Sequence, residues 1–564
     1  MSSSNRSGRT FFSKLRGFDW LFVLFLVAFV TLFSIERIQW DYPHVFLGSD
    51  AANIVSFALA KNHPDWFAKD FLLSDRRNFE IYLQFHVLYT QVLERWIGDA
   101  TLAFLSLLPV TVLLYLGGLY FFGRVFLGSP AWALAFTALN ALPIYLPVDD
   151  IGIQTDPLPR TLFHSLLLFL LAGLWQWRAQ PQRWLLLAVG FGGLVYIHAV
   201  SAPMWVLAFL ASCLFLMPRA WTWRQRAEWL VKAGLILSVV LVPFVQNYLQ
   251  NTFGGRTLPE GMSYAKFMEI FTSYYASPEL HHPLSTAFSV LRILTEAGLI
   301  PLGVLGYIVG FSSPEQRQKL LLVLLWLAGV VGFSVVLPYF EQLLERRLQV
   351  LPLQTEFLRG IRFARWLISL LALSGLQLLQ AKIGRPYASP LLLGLLLILT
   401  ARMYYQPETL MLIRFPKTAE CLLSQRRLLC QKSSPLRETL LFLRNHTPID
   451  AAVFFAPKPT DTGALAVRYM AHRSLVYSWK DRGLGFARPE KLVEWHVAYS
   501  KLKRYKTSKR WLAKDPEQFL QFLKALGASH FIVMGSCLPE DDSIGNLRVG
   551  LVYKNSDYSV CRLD

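Results

Sequence analysis

The stretch LFVLFLVAFVTLFSIERIQWDYPHVFLGSDAANIVSFALAKNHPDWF, residues 21–67, begins as an apolar run and ends as an acid-bearing, helix-like segment. The run is long enough to span a hydrocarbon core as a helix. Arg6, Arg9, Lys14 and Arg16 precede it, and IERIQWDYPH lacks a small-x-small cleavage pattern. This predicts an uncleaved first span with its N-terminus in the cytoplasm. About ten residues beyond the run, Asp50 stands where the chain should meet the headgroups.

The whole chain agrees with that beginning. Of its 564 residues 54% are hydrophobic and only 16% charged, too few charges to cover a soluble protein of this length. The net charge of +19 falls mostly between apolar runs, which fits membrane topology and contact with anionic lipid. No basic and aromatic module of a nucleic-acid binder is present. Runs able to span lie near 19–36, 101–123, 129–148, 161–177, 184–202, 203–218, 230–248, 293–311, 319–339, 364–381 and 387–404. The expectation is a polytopic α-helical membrane protein of about eleven transmembrane helices, most naturally inserted in a bacterial inner membrane.

Alternation from a cytoplasmic N-terminus (residues 1–18) places GRVFLGSP, QWRAQPQRW, MPRAWTWRQRAEWLVK, SSPEQRQKL and AKIGRPYAS on the cytoplasmic side. All carry Arg or Lys, as the positive-inside rule requires. The membrane domain is then 19–404, with loops 37–100, 149–160, 249–290 and 340–363 on the other side. Those loops hold Asp50, Asp65, Asp70, Asp75, Asp149, Asp150 and Asp156. They also hold His281 and His282, and Arg346, Arg347, Arg359 and Arg362. Residues able to do chemistry therefore collect on one face. Two segments have helical amphipathic spacing and should lie along the interface. One is FEIYLQFHVLYTQVLERWI (79–97); the other presents Ala51, Ile54, Val55, Ala58 and Leu59 on one face.

From about residue 405 the composition changes. RETLLFLRNH, TGALAVRYMAH, PEKLVEWHVAYSKL and DPEQFLQFLKALG read as helices. AAVFFAP, SLVYSW, HFIVMG, LVYKN and YSVCRLD read as strands. This predicts an extracytoplasmic α/β domain over 405–564. Cys213 lies in a span and reads as inert packing. Cys421, Cys430, Cys537 and Cys561 lie in the tail, and four thiols outside the cytoplasm favour two disulfides. The two sequence-local pairings are favoured, with the others open. No Cys/His spacing resembles a zinc site. No phosphate-cradling glycine loop or GxSxG elbow occurs, which makes nucleotide hydrolysis and serine hydrolase chemistry poor candidates.

An acid soon after the first span, interface helices, many spans and an outer C-terminal domain resemble the GT-C superfamily of membrane glycosyltransferases. That group includes protein O-mannosyltransferases and the aminoarabinose and lipid A sugar transferases. The family often carries adjacent acids in the first loop; here Ser49-Asp50 supplies one. A second acid in several members follows the third span, and Asp149, Asp150 and Asp156 in PVDDIGIQTDPLPR match that position. The tail RYMAHRSLVYSWKDRGLGFARPEKLVEW is similar to the outer domain of multi-span bacterial proteins related to this group, through Arg468, Arg473, Lys480 and Trp495.

The resemblance implies inverting transfer of a hexose or pentose from a polyprenyl-phosphate carrier to a glycan, lipid or protein acceptor on the extracytoplasmic face. Asp50, Asp149, Asp150 and Asp156 would be the catalytic acids. Arg359, Arg362, His281 and His282 could receive the donor phosphate, arginine by a bidentate clamp. The residues require no metal. Paired acids could hold Mg or Mn, as some relatives do. Each residue also admits a plainer role. Asp50 could cap the helix that follows, the later acids could be solvated loop residues, and Arg359 and Arg362 could anchor a span end. Two other functions stay open. A lipid or glycan transporter would place ionisable groups within its spans, and these spans have few. A non-catalytic assembly scaffold would leave the acids without chemistry.

Overall fold

The computed structural model describes residues 17–39, 46–80, 83–142, 144–145, 150–252, 258–275, 283–296, 313–348, 357–383, 434–457, 462–486, 488–506, 516–537, 543–544 and 547–564. Helix α1 (Gly17–Gln39) leads into α2 (Ser49–Asn62), α3 (Phe85–Ile97), the short α4 (Ala100–Leu105) and α5 (Leu107–Leu127). Then come α6 (Pro130–Ala141), the two-residue strands β1 (Ile144–Tyr145) and β2 (Asp150–Ile151), α7 (Pro159–Gln176), α8 (Trp184–Gly193), α9 (Ala202–Leu216) and α10 (Trp223–Thr252). The remaining helices before the C-terminal region are α11 (Tyr264–Tyr275), α12 (Pro283–Glu296), α13 (Pro314–Leu348) and α14 (Ala364–Ile383), with a 3₁₀ segment, Phe357–Phe363, leading into α14.

Among the described residues five helical stretches are long and apolar enough to cross a membrane: Asp19–Ile38, Ala100–Leu127, Trp223–Gln250, Pro314–Leu344 and Phe357–Leu378. The protein is thus a helical, membrane-embedded one, but five such stretches stand where sequence predicts about eleven. The reasons are local. The 129–148 run yields only the 12-residue α6, because Leu142 turns extended ahead of Pro143. There Arg365 of α14 donates to the carbonyls of Leu139 at 2.6 Å and Leu142 at 2.9 Å, closing the helix end. The 184–202 run breaks after the 10-residue α8 into a 3₁₀ turn at Leu194–Tyr196. Helix α9 has 15 residues, and α7 has 18, with Arg160 in its first turn. The 387–404 run and much of 293–311 lie outside the described residues.

The apolar exterior explains the insertion. Leu21, Leu24 and Phe25 on α1, and Val231, Leu235 and Val239 at helical spacing on α10, are exposed; a lipid solvent suits such faces and water does not. Inside, small residues let helices approach closely. A Cβ built on Gly118 of α5 would meet the Ser165 carbonyl of α7 at 3.0 Å, and one on Gly123 would meet Ala133 Cα of α6 at 3.0 Å. Asp19 pins α1 to α5: it accepts from the Tyr120 hydroxyl at 2.5 Å and from Arg124 Nε at 3.1 Å. The interface helix is shorter than predicted, as α3 starts at Phe85. Its outward face carries Phe85, Leu88, Val92 and Trp96, all exposed. Helix α2 departs from expectation. Its apolar face, Ala51, Ile54, Val55, Ala58 and Leu59, is buried in protein, so it is an internal helix.

The C-terminal region forms a six-stranded mixed sheet with order β4-β3-β5-β8-β7-β6. The strands are β3 (Ala452–Phe455), β4 (Ser474–Leu475), β5 (His530–Met534), β6 (Ser543–Ile544), β7 (Leu547–Lys554) and β8 (Tyr558–Leu563). The first three in the order are parallel and the rest antiparallel. Helices α15 (Pro435–His446), α16 (Thr462–Tyr469), α17 (Pro489–Lys506) and α18 (Pro516–Ala525) accompany it. Because side chains alternate along a strand, β3 sends Val453 and Phe455 into a core shared with α2, α15 and α16. It sends Ala452 and Phe454 into a second core with α11, α17 and α18. The first loop and the sheet domain are therefore welded by apolar packing. Cys537 and Cys561 form a disulfide that ties the loop after β5 to β8; Cys421 and Cys430 lie outside the described residues.

Candidate functional site

The site is built around the start of α2. Gly48, in an extended conformation, is its N-cap. Its N–H donates to Asp156 Oδ2 at 2.8 Å, and a Cβ at this position would stand 3.0 Å from that oxygen. Asp156 also accepts from Arg37, at the end of α1, at 2.9 Å. The same guanidinium donates to the carbonyls of Phe46 at 2.7 Å and Thr155 at 3.2 Å. A carboxylate here satisfies a free helix N–H and faces the positive end of the helix dipole. Asp156 thus fixes where α2 begins and, through it, where Asp50 points.

Asp50 sits in the first turn of α2, two positions past the Gly48 N-cap. The capping role that its sequence position also allowed is not what it does. Lys480 Nζ donates to Asp50 Oδ1 at 2.6 Å, and Arg160 donates to Oδ2 at 3.4 Å. Arg359, half-buried, adds its charge from close by. The Asp50 side chain stays 43% accessible, so its pair with Lys480 is partly open at the surface. Burial pushes its pKa up; Lys480, Arg160 and Arg359 outweigh that and hold it at about 2. Asp50 is an ionised anion at any physiological pH.

Lys480 reaches Asp50 across 430 residues of chain because a buried charge cluster fixes its segment. Arg468 of α16 donates to both Asp70 oxygens at 2.8 Å, and to Asp481 at 2.8 and 3.2 Å. All three side chains are fully buried. Asp70 further accepts from the N–H groups of Leu72, Leu73 and Leu475, and Asp481 from that of Ser478. Such complete satisfaction is what makes buried ions tolerable. Asp481 is the neighbour of Lys480, so the cluster joining the first loop to the sheet domain also presents Lys480 to Asp50.

The other sequence-derived residues divide. Asp149, His281 and His282 lie outside the described residues. Asp150 is in β2, paired in register with Tyr145. Arg362 is fully buried, donates to Ser201 Oγ at 2.9 Å and lies over the Phe363 ring. Of the two arginines only Arg359 is placed by its charge beside Asp50. Arg160 and Lys480 went unrecognised as partners. Arg160 reads as an ordinary span-end charge, and nothing in its sequence position points to Asp50. Lys480 stands out only as part of the tail resemblance; no local pattern joins it to Asp50, and the tertiary fold does. Among the described residues no group of three or more His, Cys, Asp or Glu is arranged to hold a metal. The cations around Asp50 oppose a divalent ion.

A cavity between α5, α13 and α14 is lined by Phe126, Lys319, Val323, Leu371, Ser374 and Gln377. It lies at the far end of α5 from Asp50. Lys319 donates there to the carbonyls of Val125 and Phe126, and Gln377 to that of Leu127. These groups finish a helix C-terminus and offer no chemistry. No protein-family model matches the chain, and no curated protein is similar enough to match it.

Proposed function

We propose that this protein is a GT-C-like glycosyltransferase that moves a sugar from a polyprenyl-phosphate carrier to an acceptor on the extracytoplasmic face, with Asp50 as the general base. The observation that carries the reading is the meeting of Asp50 with Lys480, Arg160 and Arg359, drawn from four distant parts of the chain. The first loop and the sheet domain lie, in this reading, outside the cytoplasm, where nucleotide sugars do not reach and lipid-linked ones do.

The electrostatics suggest the sequence of events. A carboxylate held near pKa 2 is a feeble base. The donor brings a phosphodiester with one negative charge, which competes for Arg160, Lys480 and Arg359. As those cations turn to the phosphate, Asp50 loses its partners, and burial raises its basicity. The acceptor hydroxyl then gives its proton to Asp50 while its oxygen attacks the anomeric carbon. The carbon–oxygen bond to phosphate breaks, and polyprenyl phosphate leaves with a second negative charge. The same cations stabilise that developing charge. Direct displacement inverts the anomeric centre. No step is routed through a metal.

The test is compositional analysis of envelope glycans from cells lacking the protein and cells restored with wild type or Asp50→Asn. Wild type restores the missing sugar and Asp50→Asn, at equal abundance, does not. Full restoration by Asp50→Asn overturns the base assignment. It would favour the scaffold reading, for which the Asp50–Lys480 pair itself speaks, as a latch between loop and domain.

A further inference from the structure

The end of the helical bundle away from Asp50 carries a second concentration of charge. Helix α7 has Arg160, the partner of Asp50, in its first turn and runs to Gln176 at its other end. There the turn into α8 and the turn from α9 into α10 lie together. Trp229 of α10 donates to the Pro181 carbonyl at 3.1 Å, and its ring meets that of Trp184 edge-on, with centroids 5.6 Å apart. From Trp177 to Lys232 the chain holds six basic residues and one acid, Glu228. Lys232 takes Glu228 at 2.7 Å, and Arg178 reaches Glu315 of α13 at 3.2 Å. Among the described residues, Arg183, Arg219, Arg224 and Arg226 have no ion pair. The first three are exposed and Arg226 is half-buried.

Four like charges on adjoining turns repel one another, and an anion placed among them removes that cost. The surface around them says which anion. Trp223, next to Arg224, is 77% exposed. Beyond it α10 exposes Val231, Leu235 and Val239, and α8 exposes Leu186 and Val189. The two helices start at this same end and run close together, since a Cβ on Gly192 of α8 would meet Val240 Cγ1 of α10 at 3.0 Å. A cationic rim therefore opens onto an apolar helix surface, with an indole at the boundary. A phospholipid has that build, with its phosphate at the rim and its chains along the helices. Free phosphate would use the rim alone, and an acidic protein or nucleic acid would leave the apolar surface bare. A zwitterionic headgroup would bring its own cation among four others.

We infer that these two turns form a binding site for an anionic phospholipid in the leaflet away from Asp50, with Arg183, Arg219, Arg224 and Arg226 holding its phosphate and α8 and α10 its chains. The arginines are presented by ordered backbone. The Thr222 N–H donates to Gln225 Oε1 at 2.9 Å, and the Gln225 N–H to Thr222 Oγ1 at 3.3 Å. This capping box fixes the first turn of α10 and with it Trp223 and Arg224. Arg183 lies over the Trp177 ring, 5.7 Å from its centroid. The site stands independently of any role for Asp50.

The experiment titrates the full-length, delipidated protein in detergent with dioleoyl phosphatidylglycerol, tetraoleoyl cardiolipin or dioleoyl phosphatidylcholine and counts bound lipid by native mass spectrometry. Phosphatidylglycerol and cardiolipin should bind about tenfold or more tighter than phosphatidylcholine, and excess inorganic phosphate should not displace them. Each arginine removed should weaken the anionic lipids about fivefold. Arg183→Gln with Arg224→Gln should therefore erase most of the preference and leave phosphatidylcholine binding unchanged. Both side chains are exposed, so the melting temperature of the lipid-free protein should match wild type. Should that pair melt lower, Arg219→Gln alone gives the same reading with a single fivefold loss. Arg562→Gln in the sheet domain should change nothing. Equal affinity for the three lipids, a preference untouched by the arginine substitutions, an equal loss with Arg562→Gln, or displacement by inorganic phosphate would each overturn the site.

Discussion

Asp50 is governed by its neighbours more than by its own chemistry. Its pKa of about 2 lies below the ordinary 3.8. A carboxyl depressed in the folded state contributes stability above about pH 4 and loses it as pH falls toward 2. Lys480→Met should move the Asp50 pKa up, because burial would then face fewer opposing charges. An infrared titration of isotope-labelled aspartate reads the change, and an unmoved value would show that Lys480 does not set it. Asp156 offers a contrast. It carries the same sequence logic as Asp50 but is consumed in binding Arg37 and Gly48. Asp156→Asn should therefore lower kcat or raise KM by misplacing α2, with a pH profile like that of wild type. A shifted pH profile would instead make Asp156 a proton carrier.

At the scale of elements, close packing and cross-links dominate. Gly118 of α5 stands against the α7 backbone, and α7 carries Arg160. Gly118→Leu should separate the two helices and reduce transfer along with thermal stability. Unchanged melting in detergent would refute this packing. The Cys537–Cys561 bridge closes a segment with a sequence separation of 24, and a cross-link of that size is worth about 3 kcal/mol. Paired Cys→Ser substitution should cost about that much in denaturant unfolding of the sheet domain. Elements also mark what sequence discloses. The C-terminal helices and strands, the local disulfide over 537–561 and the first span were legible, because period, turn residues and spacing are local signals. The shortness of α6 and the break after α8 were not. An apolar run looks alike whether it crosses a bilayer or stops within the protein, and the carbonyls that Arg365 closes come from more than 200 residues away. Helix α2 misled for the same reason: its apolar face is real, but protein covers it.

For the whole molecule, the decisive joint is between the first loop and the sheet domain. Arg468, Asp70 and Asp481 are fully buried there, and removing one partner of such a cluster costs about 3–5 kcal/mol. Arg468→Met should release the domain, expose the first loop to protease and abolish activity together with Lys480→Met. Protease resistance equal to wild type would contradict that role. This joint also limited the sequence reading of the site. Asp50 was legible from its distance after the first span, and Arg359 from its loop, while Lys480 depended on a fold that no local pattern encodes. The central claim remains that the carboxylate these long-range contacts hold in place performs lipid-dependent sugar transfer. The most direct measurement supplies purified protein in nanodiscs with decaprenyl-phosphate-linked radiolabelled hexoses and an envelope extract as acceptor, and follows the label. Wild type should transfer label and release decaprenyl phosphate, while Asp50→Asn binds the donor and transfers none. Equal transfer by the two proteins, or none by wild type with any neutral or amino sugar donor, would contradict the account.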